Sequence, residues 1–335
     1  MNLAKTALSS ALVLALAGCG GSDDDNTAKT GQFSLGVSDS PALATNVTIA
    51  FDRVVLKGSS ESYTFDVTEE GELKQVNLLD YQGQEVETLV SGQEVPVGEY
   101  QMCIYMKNDT TGADDTSFVI AEEAMKGLIS NSQGSCGNAD SEDQAVKEEG
   151  RIFLNKKFPI AVGDNRFVAE FNLAKLQPPK GNKDYWVLKP TDVVRIENVS
   201  DVGTISGSVD SRITADCLVE AGDDADNRSA VYLYRAGATL DGSENAAKMA
   251  DFRDAPYTTL ETAPIASARV DEEGKFEFGF VVASDYALGY TCVAQKDDPV
   301  ADDMNGEEAS FFLFDAIDNV VVEENSTTEV AFGSN

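Results

Sequence analysis

The sequence predicts an all-β protein built as two β-sandwich domains in tandem, and three observations carry that expectation. Apolar residues recur at every second position in short runs, which is strand spacing and not the three-to-four spacing of a helix. Glycine, proline and aspartate turn signals separate these runs at intervals of about ten residues, the rhythm of sandwich folds. The chain has 335 residues, 42% of them hydrophobic, which suits two ordinary cores at about 150 residues per domain.

The first segment reads as a leader. Lys5, an apolar stretch over residues 7–17 and small residues after it are the three parts of an export signal. As a helix the apolar stretch spans about 16 Å, well short of a hydrocarbon core of about 30 Å, so a membrane-spanning helix is not expected. It ends in "LAGC" (Leu16, Ala17, Gly18, Cys19), which resembles the lipobox of bacterial lipoproteins. The resemblance implies that residues 1–18 are a lipoprotein signal peptide and that Cys19 is lipidated as the first residue of the mature chain. With Gly20 after it in place of aspartate, the family's sorting habit implies the outer membrane, on either its periplasmic or its surface face. Two or more acyl chains anchor a protein stably where one does not. Residues 19–30 are a polar, aspartate-rich tether.

The first predicted sandwich covers residues 31–199. "GQFSLGVSDSP" alternates Phe33, Leu35 and Val37 against polar neighbours and ends in a turn at Asp39, Ser40 and Pro41. "NVTIAFDRVVL" places Val47, Ile49 and Phe51, then Val54 and Leu56; "SYTFDV" places Tyr63, Phe65 and Val67 on one face. In "VPVGEYQMCIYM" Tyr100, Met102, Ile104 and Met106 share a face and Cys103 lies on the other. A disulfide there would pin a covering loop and not cross the core. That loop, residues 108–150, holds a helix-like piece, "SFVIAEEAMKGLIS", and a polar stretch with Cys136. Strand spacing returns at "RIFLNKKFPI", at "NRFVAEFNL" with Phe167, Ala169 and Phe171, and at "DYWVLKPTDVVRIENV" after a turn at Pro178, Pro179 and Gly181.

The second predicted sandwich covers residues 202–335. "GTISGSV" opens it, and "SAVYLYRAG" follows with Val231 and Leu233 inward. "PIASARVDEEGKFEFGF" reads as a hairpin turning at Glu273 and Gly274, with Phe276, Phe278 and Phe280 on one face. "DYALGYTCVA" carries Tyr286, Leu288, Tyr290 and Cys292 on one face, and "FFLFDAIDNVVV" and "TTEVAF" close the unit.

Residues 31–199 resemble the domain-of-unknown-function family 4382 of bacterial lipoproteins. That family opens with a Gly, Leu, Asp, Pro pattern, matched here by Gly31, Leu35, Asp39 and Pro41, and carries a later Gly-x-Tyr strand, matched by Gly98 and Tyr100. The family has no assigned activity and supplies no catalytic residues. "GTISGSV", "DEEGKFEFGF" and "YALGYTC" make the second unit similar to the carboxypeptidase-regulatory, prealbumin-like sandwich. The usual Pro-Gly before the tyrosine strand is Ser284-Asp285 here.

Composition excludes more than it includes. Removing residues 1–18 takes away Lys5 and leaves 24 basic residues against 58 acidic, a net charge of −34. Such a surface repels nucleic acid, which is not an expected partner. With no histidine in the chain, Ser-His-Asp and Cys-His catalysis and histidine-ligated metals are out. No phosphate-binding glycine motif occurs. Outside Cys19 the cysteines are Cys103, Cys136, Cys217 and Cys292, an even number that reads as two disulfides in an exported protein. Two domains would reduce the pairings to Cys103–Cys136 and Cys217–Cys292.

Two acidic runs, residues 222–227 and 297–308, raise the question of a cation. Asp223, Asp224, Asp302, Asp303 and Asn305 are the candidate ligands and calcium the one cofactor to consider. An EF-hand register on Gly306 fails at both ends, Ala301 and Phe312. The other reading of both runs is a wet acidic loop that keeps its carboxylates ionised. Trp186, Tyr232 and Tyr234 are the candidate aromatics for stacking on a sugar, against packing on a neighbouring strand. The function expected is non-catalytic: a membrane-anchored binding or adhesive module for a glycan or an envelope protein. An envelope spacer or a carboxylate-dependent hydrolase stand as alternatives. One outcome follows from the lipobox. Cys19→Ser should release the protein from the membrane fraction or block its maturation, and unchanged membrane fractionation of that variant contradicts the lipid anchor.

Overall fold

In the computed structural model the described residues are 29–40, 44–121, 123–132, 136, 149–153, 156–189, 193–222, 228–242, 246–253, 256–305 and 310–333. The fold is all-β, with one α-helix among the described residues, Ser211–Ala221. Residues 1–28, which hold the expected leader and most of the expected tether, and residues 41–43, with Pro41 of the expected turn, lie outside the described residues, whereas Thr30, expected in the tether, already opens the first strand.

Two sheets enclose the first core. One runs Val194–Asn198, Gly163–Asn172, Thr30–Ser40, Glu87–Pro96. Thr30–Ser40 lies parallel to Gly163–Asn172 and antiparallel to Glu87–Pro96. The other runs Phe158–Ile160, Gly98–Lys107, Asn46–Lys57, Phe118–Ala121, Ala124–Ser130, Trp186–Leu188. Alternation does what the sequence predicts here: Phe33, Leu35, Val37, Val47, Ile49, Phe51, Met102, Ile104 and Met106 are all fully buried between the sheets. The change of phase after Phe51 has a cause. Pairing with Gly98–Lys107 shifts between Phe51 and Arg53, and this bulge moves the inward set from odd positions to Val54 and Leu56.

The helical reading of residues 117–130 is corrected. Phe118–Ala121 and Ala124–Ser130 form a β-hairpin, with Glu123 in the left-handed region at φ 63°. Asn46, Val47 and Thr48 pair with Ile120, Val119 and Phe118. A free sheet edge thus pairs the backbone of a β-branched, aromatic segment, and this outweighs its helix-like spacing. Cys103 and Cys136 form a disulfide outside the core, in a small cluster with Val55, Tyr105 and Phe153.

The second core lies between a sheet of Lys275–Val282, Val202–Val209, Thr327–Phe332 and a sheet of Ala266–Arg269, Ala230–Arg235, Ser284–Thr291, Asp315–Val322. The turn at Glu273 and Gly274 is present, with Asp271 accepting from Gly274 N–H at 3.0 Å. Its two strands nevertheless join different sheets. The connection is an arch, because two strands with inward apolar faces bury them across the core. Phe276 and Phe278 face that core, but Phe280 does not. A register shift opposite Gly203 and Ile205, with φ 50° at Phe280, swings its ring to Val168, Val199 and Val202 at the junction of the domains. The helix Ser211–Ala221 was not foreseen. Its signals were Asp210, which caps it by accepting from Arg212 N–H at 2.8 Å, and Gly222 after it at φ 80°. Cys217 ties the helix to Cys292.

The domains are docked by backbone contact. Gln84 N–H donates to Glu277 Oε1 at 3.1 Å, and Asn172 Nδ2 donates to Ile265 O at 3.2 Å. Gly279 approaches so closely that a Cβ there would sit 1.8 Å from Gly83 O. Gly279→Ala should therefore force the domains apart while leaving both cores intact, at about 1–3 kcal/mol of overpacking. We expect a lower melting midpoint and a larger radius of gyration in small-angle scattering. An unchanged scattering profile contradicts this docking.

Candidate functional site

The first sheet continues past Asn172 into a short 3-10 turn, Leu173–Lys175, which carries chain across the face of the second domain. There it opens a cleft of about 310 Å³. Leu173, Ala174, Leu176, Pro178 and Trp186 form the wall from the first domain. The second domain supplies Arg228, Ser229, Ala230, Tyr232, Ser267, Arg269 and residues 294–299. Three of these are cationic, Arg228, Arg269 and Lys296, and two are acidic, Asp297 and Asp298. Trp186 is half-buried, one side packed on the first core.

Tyr232 and Asp297 line the same cleft and are both buried, at 2% and 6% exposure. The Tyr232 ring lies between Phe252 and Phe311, at centroid distances of 5.3 and 5.4 Å. Its hydroxyl donates to Asp297 Oδ2 at 2.7 Å, while Asp297 Oδ1 has no hydrogen-bond donor. Burial pushes the Asp297 carboxyl well above the usual carboxylate range.

Asp297 also belongs to a cluster with Asp251 and Asp303. One carboxylate oxygen from each lies within 4.8 Å of the others. Asp251 is fully buried; its Oδ1 accepts from Arg253 Nη1 at 2.5 Å and its Oδ2 from Asp303 N–H at 2.7 Å. Asp303 Oδ2 accepts from Asp298 N–H at 2.6 Å. Burial raises the carboxyls of Asp251 and Asp303 as well. Arg253 is the counter-ion. Its Nη2 reaches Glu261 Oε2 at 2.8 Å, and its face lies over the Tyr257 ring at 4.6 Å.

The residues singled out from sequence are distributed unevenly around this site. Asp303 is in the cluster. Asp302 and Asn305 form its rim: Asp302 Oδ1 is 3.3 Å from Arg253 Nη1, and Asn305 Nδ2 donates to Asp302 Oδ1 at 3.1 Å and Glu261 Oε1 at 3.3 Å. Asp223, Asp224 and Cys19 lie outside the described residues. Asp251 and Asp297 were missed as ligands, since a carboxylate beside an aromatic carries no periodic signal of burial. The wet-loop reading of residues 297–308 is corrected at Asp297, which is held in by Tyr232. Tyr232 and Tyr234 do not face outward either. Tyr234 is fully buried and donates to Ala250 O at 2.6 Å, because segment 249–252 covers the second face of their strand. Of the three aromatics, Trp186 and Tyr232 reach the cleft and Tyr234 does not.

Comparison with known proteins finds one family match, within the first unit. Residues 30–190 match the domain of unknown function DUF4382. The matched region contributes the Leu173–Trp186 wall of the cleft, and a domain of unknown function carries no activity over to it. No curated relative matches the chain. Among solved structures, the major pilin subunit of Bacillus cereus is 12% identical with a TM-score of 0.19, over 87% of this chain and 59% of the pilin. A candidate adhesin from Bacteroides ovatus is 11% identical at 0.14, over 96% and 99%. The TIE protein of Bacillus anthracis is 11% identical at 0.17, over 94% and 58%. The chain thus spans about 59% of the pilin's length, and similarity at this level carries no functional information.

The Tyr232 hydroxyl is the only side-chain donor that the geometry gives Asp297 among the described residues. Tyr232→Phe should destabilise the second domain by about 1–3 kcal/mol, the penalty for a buried acceptor that loses its side-chain donor and keeps only the Phe252 N–H. Chemical denaturation measures it, and a variant as stable as the parent contradicts the role given to this bond.

Proposed function

We propose that this chain is a lipid-anchored outer-membrane protein that binds a ligand without transforming it, and that the interdomain cleft receives an anionic glycan. The composition of the cleft carries the reading. Trp186, Arg228, Arg269 and Lys296 converge on one recess, against the buried Asp297 and the Lys180-paired Asp298, in a chain whose net charge is −33. An indole offers its face to the C–H side of a sugar ring, and a guanidinium fork fits a carboxylate or sulfate with two parallel hydrogen bonds. A strongly acidic surface repels an anionic polymer everywhere else, so a local cationic recess sets where and in which register the polymer lies. Lipidation at Cys19 would hold the two domains at the membrane, with a carboxypeptidase-regulatory-like sandwich as the second wall of the cleft.

A glycan array of neutral, uronate-bearing and sulfated oligosaccharides, probed with the chain from residue 20 onward, tests this. Saturable binding to the acidic members is expected, weakening with salt and falling about tenfold or more in Trp186→Ala and in Arg269→Ala. Binding to an envelope protein alone, or to no glycan, overturns it and leaves a spacer role as the better account. Turnover abolished by Asp297→Asn would replace binding with carboxylate-dependent hydrolysis.

A further inference from the structure

We infer that Asp251, Asp297 and Asp303 bind a divalent cation of the calcium class, at a site distinct from any EF-hand register in the acidic run. The site is built from two segments that meet only in the fold: the chain after Ala247–Met249, with Asp251, and the acidic run, with Asp297 at its start and Asp303 in its middle. A calcium ion bonds oxygen at about 2.3–2.6 Å and so bridges ligands up to about 5 Å apart, which covers the 4.8 Å within which these three oxygens lie. A magnesium ion, at about 2.0–2.1 Å, needs a tighter and more regular cage.

Two independent observations point to a ligand. The first is Asp297 Oδ1, a buried oxygen that forms no hydrogen bond of its own, on a carboxyl that is 94% buried and is otherwise met by the Tyr232 hydroxyl and the Phe252 N–H. Stranding a buried carboxylate oxygen is expensive unless a cation or a donor faces it. The second is the charge balance. Asp251, Glu261 and Asp302 pair with the Arg253 guanidinium, and Asp297 and Asp303 adjoin Asp251, with the exposed Lys180 ammonium, paired to Asp298, the further cation acting on Asp303. Arg253 sits on the Asp251 and Glu261 side and makes no ion pair with Asp297 or Asp303. Each carboxylate oxygen has two lone pairs, so Asp251 Oδ2 and Asp303 Oδ2 can keep their backbone N–H donors and still coordinate. With an ion in place, Asp297 Oδ1 gains its missing partner and residues 297–303 are tied to the strand end at Asp251.

The inference stands apart from the glycan reading, because the ion needs no cleft ligand. Calcium chloride is titrated into the metal-stripped chain in 0.15 M-class salt, which screens scattered surface acids, with melting temperature and calorimetry as readouts. One saturable site and a rise in melting temperature are expected, with affinity in the range of extracellular calcium modules, about 10⁻⁴–10⁻³ M. Asp303→Asn keeps the acceptor for Asp298 N–H and is partly exposed, so it should fold yet lose affinity by about tenfold or more. Asp302→Asn and Asn305→Ala, on the rim, should change it by less than about threefold. Terbium emission sensitised by Tyr232 and lost on adding calcium gives a second readout that does not depend on stability. The absence of a saturable site, or equal calcium binding by folded Asp303→Asn, overturns the assignment.

Discussion

The parallel ladder between Thr30–Ser40 and Gly163–Asn172 joins segments more than a hundred residues apart, from Gly31 opposite Gly163 to Ser40 opposite Asn172. Parallel pairing needs a long crossover, and closing so long a loop costs entropy before any contact rewards it. The wall that the first domain gives the cleft lies downstream of that closure. Once Asn172 is placed, its side chain reaches Ile265 O, and Leu173, Ala174 and Leu176 lie across the second domain. A chain that failed to make this ladder would still hold alternating strands, but it would have no wall on that side of the cleft.

The second domain depends on a strand with two buried faces. Along Ala230–Arg235, Val231 and Leu233 face the sandwich core while Tyr232 and Tyr234 are covered by Phe252, Phe311 and the chain at Ala250. Two buried hydroxyls require acceptors, and Asp297 and Ala250 O supply them. Burying Asp297 in this way brings a charge into a region of low dielectric, next to Asp251 and Asp303. The arrangement of Arg253, Glu261 and Tyr257 around Asp251 answers one part of that charge, and the unpaired Asp297 oxygen marks the part it does not. Packing demands and electrostatic demands meet at one residue.

The disulfides divide their work between the domains. Cys217–Cys292 closes the larger loop and fixes the helix Ser211–Ala221 to the second core, whereas Cys103–Cys136 holds covering chain on the outside of the first. In the chain-entropy picture these loops contribute about 4.5 and 3.8 kcal/mol through the unfolded state. The docking between domains is of another kind, resting on close backbone approach at Gly279 and on the ring of Phe280, which the bulge redirects.

The sequence by itself determined the all-β class, the inward residues of most strands and the position of Cys103 off the core face, because side-chain alternation is a local consequence of the pleat. The predicted disulfide pairing also came from sequence, by way of domain count. Tertiary structure decided the rest. A sheet edge at Asn46–Thr48 turned residues 117–130 into a hairpin, and a bulge turned Phe280 out of its expected face. Trp186 and Asp303 were legible as candidates because an aromatic and a dense acidic run stand out in one dimension. Asp251 and Asp297 were not, because what makes them notable is burial beside Tyr232 and Arg253, and burial of an isolated carboxylate is written in contacts between distant segments and in no local pattern.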